Sequence, residues 1–217
     1  FVHEADVRKF VNLLATAPLY PFADEAMGQS LCHTLWYVPG VNAAHCLAQI
    51  LAEPTVDNPF RNYKVVNVAG DSVSSQTSPL EEVRTAISTN ERTITLSCGR
   101  LTTGVSVPEW TAVFMLAGSA DTGCAHYFQT IFRCQSPYRE GIKAECYTFD
   151  FSPTRTLTAI DQYISNNLAS TEHDTRVQKL TEFLHYCPTI VIDGGKRNRM
   201  DTDTFIRNIN TSKDLDR

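Results

Sequence analysis

The sequence contains no Gly-x-x-x-x-Gly-Lys-Ser/Thr stretch in its 217 residues, so it brings no phosphate-cradling loop of its own. It has no Cys-x-x-Cys, no His-x-His and no His-Glu-x-x-His, which argues against a zinc site. The seven cysteines, Cys32, Cys46, Cys98, Cys124, Cys134, Cys146 and Cys187, are an odd number scattered through apolar segments, the pattern of reduced thiols in a cytoplasmic protein. No opening segment resembles a secretory signal, and no apolar run nears the ~20 residues of a membrane span. Positive charge is also short: 19 Lys and Arg against 24 Asp and Glu leave a net charge of -5 and a pI near 5.7. Any contact with a polyanion must therefore be local, through loops and helix ends. The first residue is Phe rather than Met, so a piece of a longer chain is expected. The hydrophobic share of 42% can build a core, and the length suits one full domain with appendages or two small ones.

The most informative stretch runs from Ile94 to Leu116. Ile94-Thr95-Leu96-Ser97-Cys98 reads as a buried parallel strand ending at Gly99. A polar turn, Thr102-Thr103-Gly104, leads through Pro108 to a second apolar run, Ala112 to Leu116. A loop between two such strands leaves from the carboxyl edge, where α/β sheets bind ligands. Thr102 and Thr103 offer hydroxyls, and Gly104 lets a backbone approach a phosphate. A plain connection between strands has the same outline.

About a dozen residues further on the chain reads Tyr127-Phe128-Gln129-Thr130-Ile131-Phe132-Arg133-Cys134-Gln135-Ser136-Pro137. Thr102-Thr103-Gly104-Val105-Ser106-Val107-Pro108 resembles motif V of the superfamily 2 helicases and translocases. Gln129 through Ser136 resembles their motif VI, Gln-x-x-Gly-Arg-x-x-Arg. The wording looks most like the motor of type I or type III restriction enzymes, over about Leu31 to Arg155. Three positions depart from the pattern: Ser106 stands for the motif V Asp, Phe132 for the motif VI Gly, and Ser136 for its second Arg. Arg139 is a candidate substitute for that missing arginine.

The resemblance implies a RecA-like doubly wound parallel sheet with helices on both faces and helical N- and C-terminal appendages. It also implies the second motor domain of an ATP-dependent DNA translocase. In such motors one domain holds ATP and Mg2+, and the other inserts an arginine that neutralises charge developing on the γ-phosphate. On this reading Arg133 is the catalytic finger and Gln129, one turn earlier, couples nucleotide state to domain position. Gly104 and Ser106 join Arg133 at the nucleotide, while Gly40, Asn42, Thr102 and Thr103 hold the DNA backbone. The expected partners are double-stranded DNA, the first RecA-like domain of the same parent chain, and nuclease and methyltransferase or specificity modules; no membrane is involved. Two alternatives stand beside it: a domain of a remodelling or repair helicase of the same superfamily, and a non-catalytic α/β module for a phosphorylated ligand. No nuclease centre is legible, because Glu140-Gly141-Ile142-Lys143 has the wrong Glu-to-Lys spacing.

In order, residues 1–30 read as a helical lead-in, with Val7, Phe10, Val11 and Leu14 at helical spacing before Pro18 and Pro21. Asp24-Glu25-Ala26-Met27 imitates a magnesium-binding box but lacks the buried strand before it, so these acids read as helix-start residues. Residues 31–168 read as the sheet domain. His33 to Val38 forms a strand resembling motif IV, and after Pro39-Gly40 a helix begins at about Asn42, whose N-terminus is a ready anion site. A strand follows at Lys64 to Gly70, then a mobile Ser-rich loop, then a helix opened by the Ser78-Pro79-Leu80-Glu81 capping box. Tyr127, Ile131 and Cys134 give one face of a motif VI helix, and Glu145 to Phe151 is the last strand, with Asp150 at its end as a turn cap or a site residue. Residues 169–217 read as a mostly helical appendage, with Lys196, Arg197 and Arg199 as a solvated basic turn.

Overall fold

The computed structural model describes residues 3–70, 78–117, 123–138, 143–166, 173–186, 189–193 and 196–215. It divides into two compact units, Phe1–Gly118 with Gln129–Phe151, and Ser119–Phe128 with Ser152–Arg217.

The first unit begins with α1 (Glu4–Thr16) and α2 (Glu25–Ser30) and continues through β1 (His33–Tyr37), α3 (Val41–Leu51) and β2 (Lys64–Asn67). Then come α4 (Pro79–Thr89), β3 (Thr93–Ser97), β4 (Ala112–Met115), α5 (Cys124–Ile131), a 3-10 turn (Phe132–Gln135) and β5 (Tyr147–Asp150). The division between units falls within α5. The strands form one five-stranded sheet in the order β2-β3-β1-β4-β5, and all its pairings are parallel. This is the doubly wound α/β architecture that the strand and helix alternation implied.

Burial on both faces explains why the central strands read as apolar runs rather than alternations. One face carries Trp36, Ile94, Leu96, Ala112 and Phe114, packed in one cluster with Val11 and Leu14 of α1 and Ala44, Leu47, Ile50 and Leu51 of α3. Trp36 and Phe114 are register partners whose rings stack 5.0 Å apart, and Phe22 and Phe60 close over them at 5.3 and 5.8 Å. Trp36 can be buried whole because its Nε1 donates to Thr34 Oγ1 at 3.0 Å. Leu35, Val113 and Met115 of the opposite face are equally sealed, and α4, with Val83 and Ala86 buried, packs against β2 and β3.

Local chemistry sets the ends of the elements. The Ser78–Glu81 capping box is complete, each side chain accepting from the other's backbone N–H, a device worth ~1 kcal/mol. Asp24 caps α2 by accepting from Met27 N, as a helix-start acid does. Helix α3 starts one residue before the sequence suggested: Gly40 is its N-cap, without a side-chain cap bond, and Asn42 is an exposed residue of the first turn. Gly70 has φ +77, and a Cβ there would lie 2.6 Å from Val41 Cγ1, so glycine lets the segment after β2 touch the start of α3. The Ser-rich loop expected to be mobile, residues 71–77, lies outside the described residues, as does Arg139.

In the second unit α6 (Pro153–Asn166), α7 (His173–Tyr186) and α8 (Thr202–Leu215) pack against one another, burying Leu157, Ile160, Ile164, Leu180, Leu184 and Phe205. Phe128, Tyr163 and Phe183 add a cluster of rings 4.9 to 5.9 Å apart, and Arg176 pairs with Asp161. The basic cluster is not a turn. Lys196–Arg199 is strand β7, paired antiparallel with β6 (Ile190–Asp193), its four residues exposed. Charge pattern said nothing of pairing; the backbone ladder with Ile190–Asp193 decided it.

Candidate functional site

Because the five strands run in parallel, the loops that follow them leave from one edge. Their roots are stitched together by backbone: Val38 N donates to Ser97 O at 2.8 Å, Val68 N to Leu96 O at 3.0 Å, and Leu116 N to Tyr37 O at 2.8 Å. The Gly40 turn and the Thr102–Pro108 loop therefore rise from neighbouring strands.

The loop after β3 is held tightly. Ser97 Oγ donates to Arg100 O and accepts from Gly99 N, and Thr102 Oγ1 donates to Gly99 O at 2.6 Å. Gly99, Leu101 and Gly104 all have positive φ, and for Leu101 (φ 62) this conformation costs ~1–2 kcal/mol. Val107 and Trp110, both fully buried, bring the chain back into the core. What remains outside is a short exposed arch containing Thr103, Gly104 and Ser106.

Thr102 differs from expectation: it is fully buried and its hydroxyl shapes the turn, so it faces away from solvent and presents no donor to a DNA backbone. Thr103 and Gly104 are exposed, and a Cβ at Gly104 would meet nothing within 4 Å, leaving room for a ligand's approach. Gly40 and the exposed Asn42 stand at the start of α3, on the adjacent loop.

Arg133 is brought to this same arch. Helix α5 tightens into a 3-10 turn before Pro137, which cannot continue a helix. From that turn the Arg133 guanidinium donates through Nε to Gln129 O at 2.8 Å and through Nη1 to Val105 O. Gln129 thus serves Arg133 with its backbone carbonyl, while its side chain is exposed. Two of the three departures from the resembled motifs meet as well: Ser106 Oγ donates to Ser136 Oγ at 3.0 Å.

Sequence reading missed Lys143. Its half-buried ammonium donates to Pro108 O and to Ser136 O, both at 2.9 Å, and burial holds its pKa below the ordinary lysine value. It clasps the end of the motif V stretch to the end of the motif VI stretch. Both acceptors are backbone carbonyls, so no residue pattern could announce the contact. Among the described residues no group of three His, Cys, Asp or Glu could hold a metal ion, so magnesium finds no ready cage in them.

The all-parallel sheet in the order β2-β3-β1-β4-β5, with the arch after β3 and Arg133 joined at its carboxyl edge, is a doubly wound α/β domain with two loop stretches meeting where such sheets bind ligands. No family model matches the chain. Over 181 residues it is 29% identical to a chain described as the C-terminus of a candidate type II restriction enzyme and methyltransferase of Mycoplasma pneumoniae. That alignment takes in 79% of this chain but 24% of the relative, so the chain spans about a quarter of the relative's length. This similarity agrees with the resemblance to restriction-enzyme motors drawn from the two motifs. Among solved structures the chain is similar to domain 2 of the DEAD-box helicase Mss116p bound to an RNA duplex, at 12% identity and TM-score 0.45, over 82% of this chain and 62% of that one.

Proposed function

We propose that this chain is the second motor domain of an ATP-dependent DNA translocase or helicase belonging to a restriction-modification enzyme. The observation that carries the reading is the bond from Arg133 to Val105 O: the arginine of motif VI rests on the backbone of motif V, at the edge where such sheets bind ligands. The described hydrogen-bond partners of that guanidinium are neutral carbonyls. A phosphate oxygen in their place makes a charge-assisted hydrogen bond, roughly twice as strong. Arg133 can therefore exchange Val105 O for the γ-phosphate when a first motor domain presents ATP. ATP and Mg2+ are bound mainly by that other domain, through the phosphate loop absent from this sequence, and Gly104 and Ser106 line the near side of the nucleotide.

Thr103 and the Gly40–Asn42 helix start hold the phosphates of one strand of double-stranded DNA, with Thr102 shaping the loop behind them. Nuclease and methyltransferase modules reside elsewhere in the parent, which works in the cytoplasm. No described helix is long and apolar enough to cross a membrane. The similarity to a restriction enzyme and methyltransferase supports this setting over a repair or remodelling helicase.

Replacing Arg133 by Ala in the parent enzyme is expected to lower ATP turnover by ~10³ or more while leaving the thermal transition of the protein nearly unmoved. Near-normal turnover in a folded Arg133→Ala enzyme would remove Arg133 from the finger position.

A further inference from the structure

Cys134 and Cys146 lie beneath the motif VI turn in an arrangement the motor reading does not use. Cys134, buried, sits in the 3-10 turn directly after Arg133. Its Sγ lies 3.2 Å from Ile131 O and 3.5 Å from Tyr147 O, which places it against the first residue of β5. Cys146 is the half-buried residue directly before Tyr147, so the contact of Cys134 Sγ with Tyr147 O brings the two thiols side by side. Lys143, pinned by Pro108 O and Ser136 O, acts electrostatically on both sulfurs.

The two thiols are not equivalent. The Cys134 hydrogen bond, aided by the nearby ammonium, brings the Cys146 thiol down to about 7. The same contact and burial push Cys134 well above the ordinary thiol value. Cys146 is thus the more accessible and more acidic thiol of the pair, and Cys134 the buried one beside it. Reactive cysteines have this combination of a depressed pKa, a nearby cation and partial exposure, and a redox-sensing cysteine is often poised next to a second, resolving thiol.

We propose that Cys134 and Cys146, served by Lys143, are a modification site: a thiol pair that closes to a disulfide when the protein meets a hydroperoxide. In the first step the Cys146 thiolate attacks the peroxide, the O–O bond breaks, and Cys146 becomes a sulfenic acid as the alkoxide or hydroxide departs and takes a proton. In the second, the Cys134 sulfur attacks that sulfenic acid, forming the S–S bond and releasing water made from the hydroxyl and the Cys134 proton. The pair is oxidised by two electrons, and the peroxide is reduced by the same two. The product ties the turn that carries Arg133 to strand β5. The inference does not depend on the motor reading, since the chemistry needs only this cluster.

The test is made on the intact protein treated with hydrogen peroxide near neutral pH, capped with N-ethylmaleimide and cut with trypsin. Cleavage after Arg133, Arg139 and Lys143 puts Cys134 and Cys146 on separate peptides. The expected result is those two peptides joined, lighter by two hydrogens and released by dithiothreitol. In Cys134→Ser the link is replaced by a dimedone adduct on Cys146. In Lys143→Met the capping rate of Cys146 at pH 7 falls several-fold and its pH profile moves upward. Peptides left unlinked in the wild-type protein, a link through a different cysteine, or Cys146 driven to sulfinic acid without pairing would each overturn the proposal, and the wild-type result stands whether or not a variant folds.

Discussion

His33 stands at the start of β1 with Nδ1 3.1 Å from Thr93 Oγ1, and burial holds its pKa below the ordinary 6.5. The folded protein therefore keeps His33 neutral at a pH where the unfolded chain already protonates it. Where the unfolded state binds more protons, stability rises with pH. The neutral imidazole thus contributes stability that is present above pH 6.5 and is lost as pH falls through the lower folded value. Glu109 opposes the shift and Arg92 reinforces it. His33→Gln should flatten the fall in urea midpoint between pH 7 and 5 relative to the wild type, since the surface carboxylates are common to both. Parallel curves would mean that His33 titrates normally. Ser106 and Ser136 teach a related lesson. Each stands where the resembled motif has a charged residue, yet together they make one neutral bond across the two stretches. The pair is exposed, where an ion pair in its place would add only ~0–1 kcal/mol, so the neutral bond gives up little stability.

The β2–α3 junction shows how one element fixes the start of another. Gly70 adopts φ +77 and leaves no room for a side chain beside Val41. Gly70→Ala should cost about 1–2 kcal/mol from the left-handed backbone alone, plus a displacement of Val41. In Gly70→Ala combined with Val41→Ala only the steric share should return, which a double-mutant cycle on thermal or urea unfolding would reveal. Full recovery in the double variant would show that the backbone conformation was never strained. The contact lies beside Val41, the first residue of α3, directly after the Gly40 N-cap. Helix α5 makes the complementary point: its last turn narrows to 3-10 geometry, and Arg133 is delivered by that turn rather than by a regular helix.

For the whole molecule the proposed division of labour has a direct consequence. A chain with no phosphate loop, no three-ligand metal cluster among its described residues and a net charge of -5 should hydrolyse no ATP above background when isolated. It should bind duplex DNA weakly and with equal affinity for unrelated sequences, because phosphate contacts position a protein without reading bases. Fluorescence anisotropy on two duplexes of different sequence and a coupled ATPase assay check both expectations. Robust turnover by the chain alone would overturn the half-motor reading, and strong sequence preference would overturn the backbone-contact reading.

Much of the architecture could be read before any coordinates. Apolar runs of parallel-strand length, the Ser78–Glu81 capping box with its Pro79, and the alternation of strand and helix from β1 to β3 are local signals, written in short-range periodicity and capping chemistry; β3 and β4 are joined by a loop without a helix. The order of Thr102–Pro108 and Gln129–Ser136 was likewise legible as two motifs. Tertiary structure alone decided how those motifs meet. The Arg133 bond to Val105 O, the Lys143 clasp on Pro108 O and Ser136 O, and the inward turn of Thr102 onto Gly99 O all use backbone carbonyls as acceptors. Every residue has such a carbonyl, so its engagement leaves no mark in the sequence. The pairing of Lys196–Arg199 with Ile190–Asp193, and the meeting of Cys134 with Cys146, depended in the same way on which strands and turns the fold set side by side.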